Sequence, residues 1–376
     1  MKIAISCHTT QGGSGIVATE LATALARRGH EVHLAASVRP FRLRADSGVT
    51  FHPIQAFEYP LFRHPPDDLS LANKLAGITR EHGIEIIHAH YAIPHAVTAL
   101  LARQVVAPRR VQVVTTLHGT DITLVGSHAE FYDLTRYAML ASDAVTTVSR
   151  WLRDETLSRF QLSTALRRPI AVIPNFVDTG AFTDAGRAPY PASGEPFHLA
   201  HASNLRPVKR IADVVRVFHA VQQALPARLT ILGEGPEKGL AEELAAELGI
   251  AELVRFAGTV RDVPALMRSA HVNLLLSQYE SFGLSALEAM ACGTPVAASA
   301  GGGLPEVIEY GRTGLLCPVG DVACSAAGLI ALLDDRPRWE RMSRDAAAAA
   351  RERFDLELIV PQYERLYEEL LAEREA

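Results

Sequence analysis

Short apolar runs separated by segments of helical periodicity recur along the whole chain, and that alternation constrains the fold more tightly than any other feature. Residues 2–7, 32–36, 84–89, 111–117, 144–148 and 170–173 are short and apolar, and residues 17–28 and 69–81 between them repeat apolar positions at helical spacing. A strand that is apolar on both faces needs cover on both. Helices alternating with such strands provide it, so the pattern predicts parallel sheets. The series breaks at residues 174–196, where Gly180, Gly186, Pro189, Pro191, Gly194 and Pro196 crowd a polar stretch. It then resumes, with strands expected at 197–202, 229–232, 254–257, 272–276 and 296–298. Helices are expected at 211–223, 237–248, 263–269, 282–291, 322–333, 338–353 and 356–372. A chain of 376 residues exceeds one ordinary domain. Two α/β units facing across a cleft, with no internal sequence repeat, are the expected architecture, and ligands are expected at the C-terminal ends of the strands.

The net charge of −5 divides into +3 over residues 1–180 and −8 over the remainder. An acidic second half argues against nucleic acid wrapped around the protein, whereas a mildly basic first half suits a small anionic substrate. Hydrophobic residues make up 48% of the chain, yet no apolar run is long enough to span a bilayer. The start, Met1-Lys2-Ile3-Ala4-Ile5-Ser6, reads as a first strand rather than a secretory signal. A cytoplasmic protein without stable membrane association is expected. The cysteines Cys7, Cys292, Cys317 and Cys324 lack paired metal-ligand spacing and are expected as reduced thiols.

The most informative motif is Glu280-Ser281-Phe282-Gly283-Leu284-Ser285-Ala286-Leu287-Glu288. It follows an apolar strand, offers Ser281 as a helix cap, and places Leu284, Leu287 and Met290 at helical spacing. Helix-start amides then point to where an anion would sit, between two acids about 12 Å apart at helical rise. A nucleotide diphosphate-sugar fits this layout: sugar near Glu280, phosphates at the amides, ribose diol at Glu288. Two solvated glutamates on an amphipathic helix would have the same spacing.

Gln11-Gly12-Gly13-Ser14-Gly15 follows the first strand and opens a helix, a setting that favours phosphate and also suits a purely structural turn. A dinucleotide site is a weaker reading, because the spacing is not G-x-G-x-x-G and the second strand ends without an acid, although Arg39 leaves a 2′-phosphate open. His88, His90 and His95 invite a metal, but no nearby carboxylate or cysteine completes a site, so hydrogen-bonded histidines are expected. His118, in Thr116-Leu117-His118-Gly119-Thr120-Asp121, ends a strand at the rim where such folds bind ligands; it suits a sugar hydroxyl or a capping role, and Asp121 suits a cap. The basic, apolar run from Val38 to Arg44 suits a membrane surface, an anionic acceptor or a solvated loop.

Together these motifs, with Pro174-Asn175-Phe176-Val177-Asp178, the stretch 204–210 and Gly302-Gly303-Leu304-Pro305-Glu306, resemble the retaining glycosyltransferases of the GT-B fold, family 4 type, over essentially the whole chain. The resemblance implies two Rossmann-like parallel-sheet domains: residues 1–178 for the acceptor, a linker at 179–196, residues 197–354 for the nucleotide-sugar, and a last helix, 355–376, packing back on the first domain. Carried over by position, the family's glycine loop matches Gly12, Gly13 and Gly15, near the acceptor and the donor phosphate, the latter at Gly13; its sugar-contacting histidine matches His118, its phosphate-binding lysine Lys209, and its acid pair Glu280 and Glu288. The amides of Phe282, Gly283 and Leu284 match phosphate and sugar contacts, and Gly258, Thr259 and Val260 the base platform. Many relatives have an arginine where this chain has Asn204; Arg206 is the expected second cation.

In Tyr91-Ala92-Ile93-Pro94-His95-Ala96 and His118-Gly119-Thr120-Asp121 the chain resembles one branch of that family, and the resemblance implies transfer of N-acetylglucosamine from UDP-N-acetylglucosamine to L-malate, the first step of bacillithiol biosynthesis. Malate carries two carboxylates, for which Ser14, Tyr91, Thr120 and Arg150 are the candidate partners. No Asp-x-Asp motif is present, so no metal or cofactor is expected: Arg206 and Lys209 would offset the leaving-group charge, and a homodimer is expected. A different acceptor (lipid-linked or sugar phosphate), a UDP-sugar epimerase and a non-catalytic sugar-nucleotide sensor are the competing readings.

Overall fold

The computed structural model describes residues 1–8, 12–55, 66–260 and 262–375. The chain divides into two compact units: residues 1–174 with 359–376, and residues 175–358.

Unit 1 is built on a seven-stranded sheet, all parallel, in the order β3-β2-β1-β4-β5-β6-β7. The strands are β1 (Lys2–Ser6), β2 (Glu31–Ala36), β3 (Thr50–Pro53), β4 (Ile86–His90), β5 (Gln112–Leu117), β6 (Ala144–Thr147) and β7 (Ala171–Val172). Its helices are α1 (Gly13–Arg27), α2 (Asp67–His82), α3 (Val97–Val105), α4 (Thr120–Thr123), α5 (Tyr132–Ala141) and α6 (Arg150–Arg159). The central strands are buried along their length, as parallel strands covered on both faces must be. Leu75, Ile87, Ala99, Val113 and Ala138 join them to the helices in one apolar core. α2 stops where Gly83 takes a left-handed conformation (φ 74°), and α6 starts where Ser149 Oγ accepts from Leu152 N–H at 3.1 Å.

Unit 2 has a six-stranded parallel sheet in the order β10-β9-β8-β11-β12-β13. Its strands are β8 (Phe197–Ala202), β9 (Ala227–Leu232), β10 (Val254–Gly258), β11 (Val272–Leu275), β12 (Val296–Ser299) and β13 (Gly314–Cys317). Its helices are α7 (Ile211–Ala224), α8 (Lys238–Glu247), α9 (Val263–Ser269), α10 (Leu284–Ala291), α11 (Leu304–Val307), α12 (Val322–Leu333) and α13 (Arg336–Phe354). Asp262, Asp321 and Asp335 cap α9, α12 and α13 through side-chain bonds to the amides of Ala265, Cys324 and Arg338. The core centres on Leu199, Val214, Phe218, Ile231, Leu274, Leu329 and Trp339.

Two strands escaped the sequence pattern. Both are edge strands: the half-buried and exposed residues of β3 blur the apolar signal that marks an interior strand, whereas β13 is mostly buried but only four residues long and opens with a glycine. The expectation of four reduced thiols is also corrected. Cys317, ending β13, and Cys324, in the first turn of α12, form a disulfide with Cα atoms 6.0 Å apart, whereas Cys7 and Cys292 are free and buried. Only the fold of the connecting loop brings the pair into bonding geometry.

The last helix, α14 (Leu356–Glu375), leaves unit 2 and belongs to unit 1 from Ile359 onward. Its buried Tyr367 hydroxyl bonds His88 Nδ1 at 2.7 Å, and Glu364 takes Arg28 and His30, each at 2.9 Å. A buried imidazole nitrogen left without its partner costs about 1–3 kcal/mol. Tyr367→Phe is therefore expected to lower the stability of unit 1 by that amount in urea unfolding; an unaltered midpoint would rule out the contact as an anchor.

Candidate active site

In unit 2 the strand order reverses between β8 and β11, and neighbouring parallel strands whose connections run to opposite sides open a crevice at their C-terminal ends. The loops leaving these two strands carry the residues singled out above. Arg206 precedes the single turn Pro207–Lys209 after β8, and Glu280 lies between β11 and α10. Lys209 Nζ donates to Glu280 Oε1 at 2.6 Å, and Ser277 Oγ donates to the same oxygen at 2.7 Å. The two charged side chains are only 16% and 14% exposed, so the pair is largely shielded from solvent. Gln278 N–H donates to Val208 O at 2.8 Å and ties the loops a second time. Arg206 is exposed and Asn204 half-buried.

Glu280 is also held from behind. It forms a parallel bridge with Gly302, and Gly303 N–H donates to its carbonyl at 2.7 Å. Gly302 has φ +70°, and a Cβ there would lie 2.1 Å from Glu280 O, so only glycine permits this approach. That is the physical content of the Gly-Gly-Leu-Pro-Glu run.

The expected cap Ser281 is corrected: the cap of α10 is Gly283, left-handed at φ 92°, and the helix starts at Leu284. A Cβ on Gly283 would approach Leu304 Cδ2 to 2.5 Å, so the chain turns on the glycine and not on the serine. Ala286 and Leu287 N–H donate to Gly283 O, which leaves the amides of Leu284 and Ser285 without an acceptor inside the helix. Phe282 is buried just before this turn. Glu288 lies in the next turn at 5% exposure, which excludes a solvated helix face for it. Nearby, Leu205 N–H donates to Glu234 O at 3.0 Å and Gly233 N–H to Gly258 O at 2.8 Å, lacing the loops that carry Asn204 and Val260 to the end of β9.

In unit 1 the candidates gather at the same end of their strands. Gly12 is the N-cap of α1, the helix that follows β1 in the chain, and Gly13 and Ser14 open it; Gln11 lies outside the described residues. Tyr91, after β4, has φ 107°, a conformation a bulky side chain rarely adopts. Its ring stacks on His118 at 5.7 Å and meets His8 edge-on at 4.9 Å. Asp121, buried, accepts from the amides of His118, Gly119 and Ala92 and so joins the loops after β4 and β5. Thr120 starts α4 and Arg150 starts α6, the latter exposed. His88 and His90 hold no metal-like arrangement. His88 Nε2 bonds Thr116 Oγ1 at 2.7 Å and His90 Nδ1 bonds His118 Nε2 at 2.9 Å. The arginines of the 38–44 loop bond its own carbonyls and nearby acids: Arg39 to Leu43 O and Arg44 O, Arg42 to Glu20, Arg44 to Asp46.

Burial dominates the electrostatics. It pushes His88, His95 and His118 down to about 3 and His201, beside Lys209 and Glu280, to about 4, so these imidazoles are neutral near pH 7. Burial also raises Asp121 to about 6 against the pull of its amide bonds. His118 can therefore donate or accept a hydrogen bond but brings no charge.

Residues 11–181 match the family described as Glycosyltransferase Family 4, and residues 183–352 match Glycosyl transferases group 1. The chain is 41% identical over 99% of its length, and 97% of the relative's, to N-acetyl-alpha-D-glucosaminyl L-malate synthase of Bacillus anthracis. It belongs to the family 4 glycosyltransferases. A second relative, D-inositol 3-phosphate glycosyltransferase of Pseudarthrobacter chlorophenolicus, is 30% identical over 90% of this glycosyltransferase and 86% of its own length. Among solved structures, Anabaena HepE in complex with UDP-glucose superposes with a TM-score of 0.79 at 21% identity, covering 99% of this chain and 100% of that one, a likeness that shows the GT-B fold. No helix among the described residues of the glycosyltransferase is long and apolar enough to cross a membrane.

Within unit 2 the structure thus brings Lys209 and Glu280 into contact, with Phe282, Gly283 and Leu284 following Glu280 at the turn into α10 and Glu288 buried within that helix. Within unit 1 it brings Tyr91 against His118. Sequence reasoning missed Ser277, His201 and His8. Ser277 lies three residues before Glu280 at the end of a strand, a position that could have signalled it.

The neutral imidazoles have a consequence for stability. Above pH 6.5 folded and unfolded chains both carry them uncharged. Below it the unfolded chain protonates while the folded one does not until near pH 3–4, so stability falls with falling pH. Each such histidine contributes up to about 1.4 kcal/mol per pH unit. Urea midpoints are expected to drop between pH 6.5 and 5, and midpoints constant over that window would contradict the burial of these groups.

Proposed function

We propose that this glycosyltransferase moves N-acetylglucosamine from UDP-N-acetylglucosamine to the hydroxyl of L-malate, the first step of bacillithiol biosynthesis, with retention at the anomeric carbon and without a metal ion. The observation that carries the reaction is the 41% identity, along 99% of the chain, to the malate synthase of Bacillus anthracis. The HepE structure holds UDP-glucose, a donor of the same chemical class.

Unit 2 takes the donor. As the glycosidic bond breaks, negative charge grows on the departing diphosphate, and Lys209, Arg206 and the amides at the start of α10 offset it. Lys209 and Ser277 both bond Glu280 Oε1, which leaves Oε2 to accept from a sugar hydroxyl. Glu288 and the backbone at Val260 serve the ribose and the base, with Asn204 beside the phosphates in place of an arginine. The anomeric carbon becomes oxocarbenium-like. The malate oxygen attacks from the face the diphosphate leaves, and a donor phosphate oxygen takes the hydroxyl proton, so no protein nucleophile is required. Fixed cations take the place of a divalent ion, in keeping with a chain that has no Asp-x-Asp motif.

Unit 1 takes the acceptor. Ser14 offers a donor at a helix start, and Tyr91 and Thr120 offer hydroxyls. Arg150 is a cation at a helix N-terminus, where charge of that sign is disfavoured, and a bound carboxylate would relieve the conflict. Neutral His118 presents a hydrogen bond toward the transferred sugar. The same reading carries a cytoplasmic homodimer.

The test is UDP release from UDP-N-acetylglucosamine offered L-malate, succinate or an inositol phosphate, with chelator present. Turnover is expected with malate alone, and nuclear magnetic resonance of the product is expected to show the α-anomer. Lys209→Ala should lower kcat about 10²–10³-fold. Turnover with inositol phosphate in preference to malate, or a β-linked product, would overturn the respective part. Arg150→Ala should raise KM for malate far more than KM for the sugar nucleotide, and equal effects would remove Arg150 from the acceptor site.

A further inference from the structure

Three histidines far apart in sequence converge at the β2–β3 edge of unit 1. His33 and Glu31 share a face of β2, and the parallel register, Ala35 opposite His52, puts His52 of β3 on that face. His82, the last residue of α2, closes over them, with ring centroids 4.2 Å from His33 and 5.9 Å from His52. One ring nitrogen from each histidine lies within 4.8 Å of the other two. His33 Nδ1 and His52 Nε2 are 2.8 Å apart. Around a tetrahedral zinc ion with Zn–N bonds of about 2.0–2.1 Å, nitrogens stand roughly 3.4 Å apart, so a small rotation of one ring admits the ion.

The surroundings match such a site. His33 Nε2 meets Glu31 Oε1 at 3.1 Å, and Lys2 Nζ holds the other carboxylate oxygen at 3.2 Å. An imidazole that ligates a metal through one nitrogen usually donates from the other to a carboxylate, which sets its tautomer and orientation. Burial lowers His33, and lowers His52 to about 4, so both rings are uncharged at neutral pH and each keeps one ring nitrogen without a proton. Lys74 and Glu81 are the other charges near the cluster.

We propose that His33, His52 and His82 bind one divalent transition-metal ion of the zinc class, with Glu31 orienting His33. Glu31 and His33 begin β2 and His82 ends the helix that precedes β4, so the site lies toward the N-terminal edge of the sheet, away from the strand ends that carry Ser14, Tyr91 and His118. The ion would cross-link β2, the edge strand β3 and α2, and would take no part in sugar transfer.

Full-length protein, stripped with chelator and dialysed, is titrated with Zn²⁺ alone by calorimetry beside His52→Gln, His82→Gln and Glu31→Gln. The proposal expects one equivalent per chain. It expects at least a tenfold loss of affinity in each histidine variant and a 10–100-fold loss in Glu31→Gln with the stoichiometry kept. It also expects a zinc-dependent rise in unfolding temperature that both histidine variants lack. Initial rates of UDP release should match the parent in all three variants, which verifies that they fold. Zinc uptake that is absent in the parent, or unaltered in both histidine variants, overturns the site. The outcome is independent of the acceptor, so its failure is distinguishable from failure of the malate reading.

Discussion

The contact of Lys209 with Glu280 is the interaction on which the candidate site of unit 2 is organised. It joins the loops of β8 and β11, the two strands between which connections part to opposite faces of the sheet. A cation and a carboxylate 2.6 Å apart and mostly shielded from water hold one another in place, and Ser277 secures the same oxygen. Backbone contacts hold the acid's loop from behind: Gly302 lies against the Glu280 peptide, and Gly283 turns the chain into α10. A site assembled this way has its charges oriented before any ligand arrives, which is the condition for electrostatic stabilisation of a departing diphosphate.

Unit 1 uses a different device. Its ligand end is a cluster of uncharged imidazoles and a tyrosine, positioned by Asp121, whose carboxylate collects three amides from two loops, and by Tyr367, which reaches in from the last helix to His88. The contrast between the units, fixed charge in one and neutral polar groups in the other, follows from which side chains are buried and paired.

Much of this was legible in the chain. Interior strands such as β8 and helices such as α9 and α12 follow the apolar period and their caps closely, because a doubly covered strand leaves an uninterrupted apolar run. The acid pair was visible from its spacing, and Lys209 from family likeness. What stayed hidden has a common cause. β3 is an edge strand with a weak pattern, β13 is too short for its period to register, Cys317 and Cys324 are bridged by a loop whose path the spacing does not reveal, and Ser281 lost the cap position because the space beside Leu304 admits only a glycine turn. The histidines that did converge, His33, His52 and His82, come from three separate elements, whereas the closely spaced His88 and His90 were already engaged in hydrogen bonds.

By itself the sequence determined the two-unit α/β architecture, the family and the residue types available for chemistry, because periodicity, turn residues and motif spacing are local properties of a chain. The tertiary structure decided which of those residues meet. Strand order is set by which apolar faces pack together, and it alone placed the β8 and β11 loops side by side, buried Glu288, neutralised His118 and gathered three imidazoles at one sheet edge. Burial and through-space contact depend on the whole packed chain, and no window of residues contains them.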